Sequence, residues 1–375
     1  MILRLTPTLP PVPGGLEKHA RELTLQQAAC GMRVSLAFAS GDPLCAPNVA
    51  DHHIDLPMSM LGGSLLRQRF ALAVSRSNDL AGPPTRVVHA HGDYAAAWAG
   101  ANVARRVRCP SVLTIHGALS ERSAHAMLGR RLYRRLDRII AVSPAIRDQL
   151  THLGVDGDRI AVISSGIHHA RFAANPNARR AMRAQLGVAD DTKVVVSVGR
   201  LHRVKGFEHL VAAAAQLRGT VPRVQFVVAG TGPEANHLAT LSRGMSNVRW
   251  LGDVPGERLP ALLSAADVFV LPSVQLPGQA EGTPTSVMEA MASGLPIVAT
   301  TTGGIPYLVH DGVNGILVPP AVPASIVDAV ARLTGDEAMS TAMGERNREQ
   351  SRERDWSVIA QRVADVYRDA GAEVD

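Results

Sequence analysis

The sequence predicts an α/β protein of two domains, each built on a parallel sheet. Short apolar or β-branched runs alternate with helical stretches from the first residue, the pattern of strand, crossover helix, strand. The alternation restarts midway at a fully apolar run, KVVVSVGR (Lys193–Arg200). The chain's 375 residues, 46% apolar and 19% charged, suffice for two separately cored domains.

Met1–Thr6 reads as a first strand, and a Pro-rich loop carries it to Gly14-Gly15. From Leu16 to Cys30 the pattern is helical, with Leu16, Ala20, Leu23 and Gln27 on one stripe and Gly31 as its stop. Val34–Phe38 is the next strand. The paired glycines let backbone N–H groups meet a ligand at the helix N-terminus, or simply form a tight βα turn. Residues 57–74 (PMSMLGGSLLRQRFALAV) suit either an amphipathic segment resting on a membrane or covering an acceptor, or a helix with its apolar side in the core. Strand RVVHAH (Arg86–His91), a helix around Ala95–Ala104 and strand SVLTIHG (Ser111–Gly117) follow. His116 ends its strand, at the edge where open α/β sheets place ligands; there a histidine serves as donor or base, or as a hydrogen-bonded structural residue.

Leu128–Ile140 is expected to be a helix carrying Arg130, Arg131, Arg134, Arg135 and Arg138, either a solvated face or a surface for anions. AVSPAIRDQL reads as strand then helix, capped by Ser143 with Pro144 first. Strand Arg159–Gly166 closes the first domain, with a linker near Asn175-Pro176-Asn177. In the second, strand Lys193–Arg200 is followed by helix Phe207–Leu217, strand VQFVVAG, the turn GTGPEA and strand VRWLGDV. Helix Leu259–Ala265 and strand VFVLPS lead to Glu281–Pro320, and Trp356–Ala370 forms a last helix.

That Glu281–Pro320 stretch carries the chemistry. Thr283 suits an N-cap, Pro284 the first helical position, and Gly294 the stop before strand Ile297–Thr300. Glu281 lies just before the cap and Glu289 inside the helix. The helix N-terminus, spanning Gly282, Thr283, Pro284 and Thr285, offers unpaired N–H groups to a phosphate, and the carboxylates accept from sugar hydroxyls. Gly199, Arg200 and Lys205 sit just past the end of their strand, where two cations suit a departing pyrophosphate.

Several classes are disfavoured. No apolar run approaches a membrane span, and the N-terminus reads as a strand rather than a signal peptide. Cys30, Cys45 and Cys109 lack metal-ligand spacing and read as reduced thiols. The pairs His52-His53 and His168-His169 are poor chelates, so no metal site is expected. Residues 1–170 carry a net +7 and the remainder −1, which points the first domain at an anionic membrane surface or a phosphorylated substrate. With 3% aromatics and no nucleic-acid motif, nucleic acid is not expected. The strongest rival is an NAD(P)-dependent oxidoreductase using Gly230–Ala235 as a dinucleotide fingerprint with Asp253 as ribose ligand; Pro233 counts against it by removing a backbone donor.

The motifs GR…KG at Gly199–Gly206, AGTGPE at Ala229–Glu234, and Glu281 to Glu289 running into GLPIVAT and NGILVPP resemble retaining glycosyltransferases of family 4. The likeness spans nearly the whole chain from Gly14-Gly15, and the loop SVQLPGQAEGTPTSVMEA looks like the branch building exopolysaccharide, capsule or colanic-acid-type polymers. The resemblance implies a GT-B fold of two Rossmann-like domains facing across a cleft. Residues 1–170 would bind the acceptor, 171–354 the nucleotide sugar, and 355–375 would form a helix crossing back. It implies that the backbone of Gly15, with Arg200 and Lys205, holds the diphosphate of a UDP- or GDP-sugar. Glu289 would meet the ribose, Glu281 and His116 the transferred sugar, and the segment of Asp253 and Val254 the base. It further implies a saccharide or lipid-linked acceptor, front-face transfer with retention, no metal or other cofactor, and a cytoplasmic place at the inner membrane face. Tyr307 stands where the family commonly has Glu, which is expected to alter loop packing rather than chemistry. An inactive paralogue serving as a scaffold in polysaccharide assembly is the non-catalytic alternative.

Overall fold

The computed structural model describes residues 1–12, 14–56, 63–77, 80, 84–117, 119, 129–218, 223–276 and 281–374. They form two compact units, Met1–Gly166 with Trp356–Asp375, and Ile167–Asp355.

The first unit holds a seven-stranded parallel sheet: β1 (Ile2–Leu5), β2 (Val34–Phe38), β3 (Val49–His53), β4 (Val87–His91), β5 (Ser111–Ile115), β6 (Arg138–Ala141) and β7 (Ile160–Val162). Its order is β3-β2-β1-β4-β5-β6-β7. Leu3 of β1 lies opposite Ser35 on one side and Val88 on the other. The chain therefore winds outward from β1 in one direction and resumes on its other side at β4. The switch point between these strands is where such sheets bind ligands. Central strands β1, β2, β4 and β5 are buried along their whole length, as parallel strands covered on both faces must be.

Helices α1 (Gly15–Ala29), α2 (Gly63–Arg76), α3 (Tyr94–Val107) and α4 (Pro144–His152) make the crossovers. Leu66, Phe70, Ala71 and Val74 of α2 sit in the core with Leu3, Leu5 and Val88. These four side chains follow the core reading of that segment, while Leu65 and Leu72 on the same helix are exposed; residues 57–62 lie outside the described residues. The expected arginine-rich helix ends earlier than its pattern suggested: among the described residues it covers 129–133, and Arg138–Ile140 belong to β6. β-branched Ile139 and Ile140 pair with β5 and β7 there, so tertiary pairing overrides the helical period. The C-terminal helix (Trp356–Asp369) lays Ile359, Val363 and Val366 over Ile2, Val87, Val112 and Ile140.

The second unit opens with α5 (Pro176–Gln185). Asn175 accepts from the Ala178 N–H and Pro176 takes the first helical position, so the expected linker is a helix start inside this unit. A six-stranded parallel sheet follows: β8 (Lys193–Val198), β9 (Val224–Ala229), β10 (Val248–Gly252), β11 (Val268–Leu271), β12 (Ile297–Thr300) and β13 (Gly315–Val318), in the order β10-β9-β8-β11-β12-β13. The switch point here lies between β8 and β11. Helices α6 (Phe207–Gln216), α7 (Ala235–Leu241), α8 (Leu259–Ala265), α9 (Thr285–Ala292), α10 (Pro323–Gly335) and α11 (Glu337–Arg352) cover the two faces, each over its own apolar cluster. No helix among the described residues is long and apolar enough to cross a membrane.

Candidate active site

The loops after β8 and β11, the two strands flanking the second switch point, meet through one ion pair. Lys205 ends a short 3-10 turn (Arg203–Lys205), and its Nζ lies 2.8 and 2.7 Å from the two carboxylate oxygens of Glu281. Both side chains are largely sequestered, at 19% and 10% exposure. Ser273, fully buried after β11, donates its hydroxyl to Glu281 Oε2 at 2.9 Å. Its own carbonyl accepts from Thr300 Oγ1 at 2.6 Å and Thr302 Oγ1 at 3.3 Å. The Gly304 N–H donates to the Glu281 carbonyl, and a Cβ on Gly303 would lie 1.9 Å from that oxygen, so only glycine permits this approach. Gly206, at φ +63°, packs against the Pro272 carbonyl with no room for a Cβ. Backbone and side chains together fix the carboxylate in one place.

Beside this pair lies the N-terminus of α9. The helix starts one residue later than its sequence suggested: Pro284, at ψ 114°, is the N-cap and Thr285 the first helical residue, displacing Thr283 from the capping role. Proline has no side-chain acceptor, and the cap residue itself makes no side-chain capping bond. The Val287 N–H turns back to the Pro284 carbonyl, and the leading N–H groups of such a helix end suit an anion. Gly294, at φ +75°, ends the helix as expected. Gly282 is exposed and Glu289 half-buried. Gly199 is half-buried and bonds the Ala229 carbonyl through its N–H, and Arg200 is exposed. Asp253 is exposed after β10, three positions from β11 in the sheet, with Val254 packed on the core.

In the first unit, Gly14 and Gly15 open α1 on the exposed side after β1, and His116 stands one residue past β5. His116 is joined by histidines from two neighbouring elements. Its Nε2 lies 3.1 Å from His91 Nδ1 at the end of β4, and the His19 ring on α1 meets it edge-on at 4.6 Å between centroids. His19 Nδ1 pairs with Ser165 Oγ, and His89 bridges Tyr367 and Thr114. Beneath them Arg4, fully buried, donates to Thr24, Gln27 and Tyr367. Burial holds all four imidazoles neutral: His19, His89 and His91 fall well below the usual histidine range, with further depression from one another and from Arg4, and His116 is pushed down to about 3.

Ring nitrogens of His19, His91 and His116 lie within 4.8 Å of one another, a spacing a transition-metal ion accepts. The buried Arg4 cation in the same interior opposes a dication there. The chain's own signal was present in RVVHAH, since His89 and His91, two apart on a strand, share a face.

The residues match two family models: Glycosyltransferase Family 4 over 13–171 and Glycosyl transferases group 1 over 178–350. The chain is 31% identical to alpha-maltose-1-phosphate synthase of Mycolicibacterium smegmatis, over 97% of each chain. The chain belongs to the family 4 and group 1 glycosyltransferases. A D-inositol 3-phosphate glycosyltransferase of Corynebacterium glutamicum is 33% identical over 60% of this chain and 55% of its own. The crystal structure of Anabaena Alr3699/HepE in complex with UDP superimposes with a TM-score of 0.77 at 23% identity, covering 97% of this chain and 98% of that one. The two parallel-sheet bodies are those of the GT-B fold.

In this glycosyltransferase the rival dinucleotide fingerprint has another use. Cβ atoms on Gly230 and Gly232 would lie 1.8 and 2.3 Å from the carbonyls of Gly199 and Leu201. The glycines let one loop press on the next, and the helix after them, α7, has only seven residues. Sequence reasoning passed over Ser273, Thr300 and Thr302, because a single serine or threonine at a strand end carries no pattern of its own.

Proposed function

We propose that this glycosyltransferase moves a sugar from a UDP-sugar to a small acceptor bearing a phosphate, with retention of anomeric configuration. The Lys205–Glu281 pair carries the reading, because it sets a cation for a diphosphate against an oriented carboxylate for sugar hydroxyls. Arg200 and Lys205 neutralise the leaving diphosphate, the α9 N-terminus adds N–H donors, Glu281 accepts from the transferred sugar, Glu289 from the ribose, and His116 meets a sugar hydroxyl. As the anomeric carbon–oxygen bond to the diphosphate breaks, the acceptor oxygen attacks the same face and its proton passes to the departing diphosphate. No metal enters this scheme.

The UDP complex of the HepE neighbour favours uridine over guanosine. The acceptor follows the relatives' names, one a maltose-1-phosphate synthase and another a D-inositol 3-phosphate glycosyltransferase. A lipid-linked acceptor in polysaccharide synthesis, met at an anionic inner membrane face, is the second reading; the exposed Arg130, Arg131, Arg134 and Arg135 favour it.

UDP release from UDP-glucose, followed with glucose 1-phosphate and inositol phosphates as acceptors, tests the scheme. Lys205→Ala and Glu281→Ala each abolish transfer with folding intact, and proton NMR finds a product of the donor's own configuration. Near-normal transfer by both variants overturns it. Saturable NADH binding in place of UDP binding would revive the oxidoreductase, and binding to anionic vesicles at low salt marks the second reading.

A further inference from the structure

We propose that His91 is a positioning residue that locks His116 as the Nδ1–H tautomer, so that His116 offers the transferred sugar a hydrogen-bond donor and not a base. The inference rests on the reading of His116 as sugar-facing and deepens it.

The two rings lie within 25° of coplanar with centroids 5.4 Å apart. That separation is what two imidazoles joined end to end by a 3.1 Å contact require, so the bond from His91 Nδ1 to His116 Nε2 runs nearly in both ring planes. One nitrogen must donate and the other accept, since both rings are neutral. The choice is made at the far side of His91. Its Nε2 is buried with no partner among the described residues. If His116 donated, His91 would carry its proton on that Nε2, stranding an N–H where nothing accepts it. Stranded buried donors are rarer than stranded acceptors. The fully buried Arg4 cation in the same interior also favours an inward lone pair over an inward N–H. Hence His91 donates from Nδ1 and His116 Nε2 accepts. The remaining proton of His116 sits on Nδ1, which has no other hydrogen-bond partner among the described residues. A neutral Nδ1–H can donate to a hydroxyl oxygen and cannot take its proton. That leaves proton acceptance to the departing diphosphate.

Long-range proton–nitrogen NMR on the full chain labelled at its histidine imidazoles reads each tautomer directly, with His91→Gln and His116→Gln identifying the two rings. The expected wild-type spectrum has a protonated Nδ1 and a bare Nε2 for both His91 and His116. In His91→Phe the His116 signals move to the other tautomer or an averaged mixture, and kcat/KM falls about tenfold, as one lost transition-state hydrogen bond gives. His91→Gln, whose amide can still donate, regains most of both. An Nε2-protonated His116 in the wild type, its ring assigned by through-bond correlation to its own backbone, overturns the inference even if no variant folds, and so does an unchanged His116 tautomer in folded His91→Phe. The spectrum needs no substrate: the expected tautomers together with normal transfer by His116→Ala would remove only the sugar-facing reading.

Discussion

Lys205 and Glu281 form a bidentate pair, both carboxylate oxygens lying within 2.8 Å of the same Nζ, and this pair joins the loops after β8 and β11. Two groups assigned to different parts of a nucleotide sugar are thus already oriented by each other. On the proposed reading, donor binding exchanges part of their mutual contact for contacts to phosphate and hydroxyl. Lys205→Ala is therefore expected to weaken UDP binding by about tenfold or more, as loss of a charge-assisted bond does. Glu281→Gln should leave UDP affinity within about threefold of wild type while lowering turnover of the UDP-sugar by about 100-fold. Calorimetric titration with UDP and initial rates separate the two; equal loss of UDP affinity in both variants would refute the division of labour.

Ser273 gives the carboxylate its second anchor. Ser273→Ala removes one hydrogen bond to an ionised acceptor in a buried setting, at about 1.5–3 kcal/mol of local stabilisation. The expected outcome is a fall in kcat of about tenfold with UDP affinity unchanged, since Lys205 keeps its place. A variant with wild-type kcat would show that Lys205 alone positions Glu281.

The parts legible in the sequence are those with a period or a stop signal. Strand alternation, Gly294 after α9 and Ser143 before α4 each leave a local mark, and each lies where expected. The linker at Asn175 and the helix through Ile140 went astray because capping residues also begin helices inside domains, and because a strand buried on both faces has no alternation to contradict a helix. Glu281 and Lys205 were readable from their motifs. Their 76-residue separation hid the ion pair itself, and nothing local to Arg4, Tyr367 or His19 announced the buried polar interior they share.

Stability should depend on pH through the histidine interior. The ordinary value for these groups is 6.5, and all four lie below it when folded, His116 at about 3. Below 6.5 the unfolded chain binds protons that the folded first unit refuses, so stability falls as pH drops; above 6.5 both states are neutral and these groups have no effect. Each histidine adds up to about 1.4 kcal/mol per pH unit to the slope. Melting temperatures measured from pH 8 to pH 4.5 should be level and then decline, and His19→Gln or His89→Gln should flatten the decline. A profile in which neither variant alters the slope would place the acid sensitivity elsewhere.

Tyr367 tests whether Arg4 is held or merely trapped. Its hydroxyl accepts from Arg4 Nη2 at 3.0 Å and pairs with His89 Nδ1 at 2.6 Å, tying the C-terminal helix to β1 and β4. Tyr367→Phe keeps the ring and its packing but leaves the guanidinium with only Thr24 and Gln27, and Arg4 Nε already lacks a partner. A buried cation losing an acceptor costs about 1.5–3 kcal/mol, or several degrees of melting temperature in a unit of this size. Replacing the cation as well should restore much of the loss, because an apolar side chain of similar length needs no acceptor. Arg4→Met combined with Tyr367→Phe is thus expected to melt above Tyr367→Phe alone. If the double variant melts lower than either single one, Arg4 contributes packing or contacts that its hydrogen bonds do not account for.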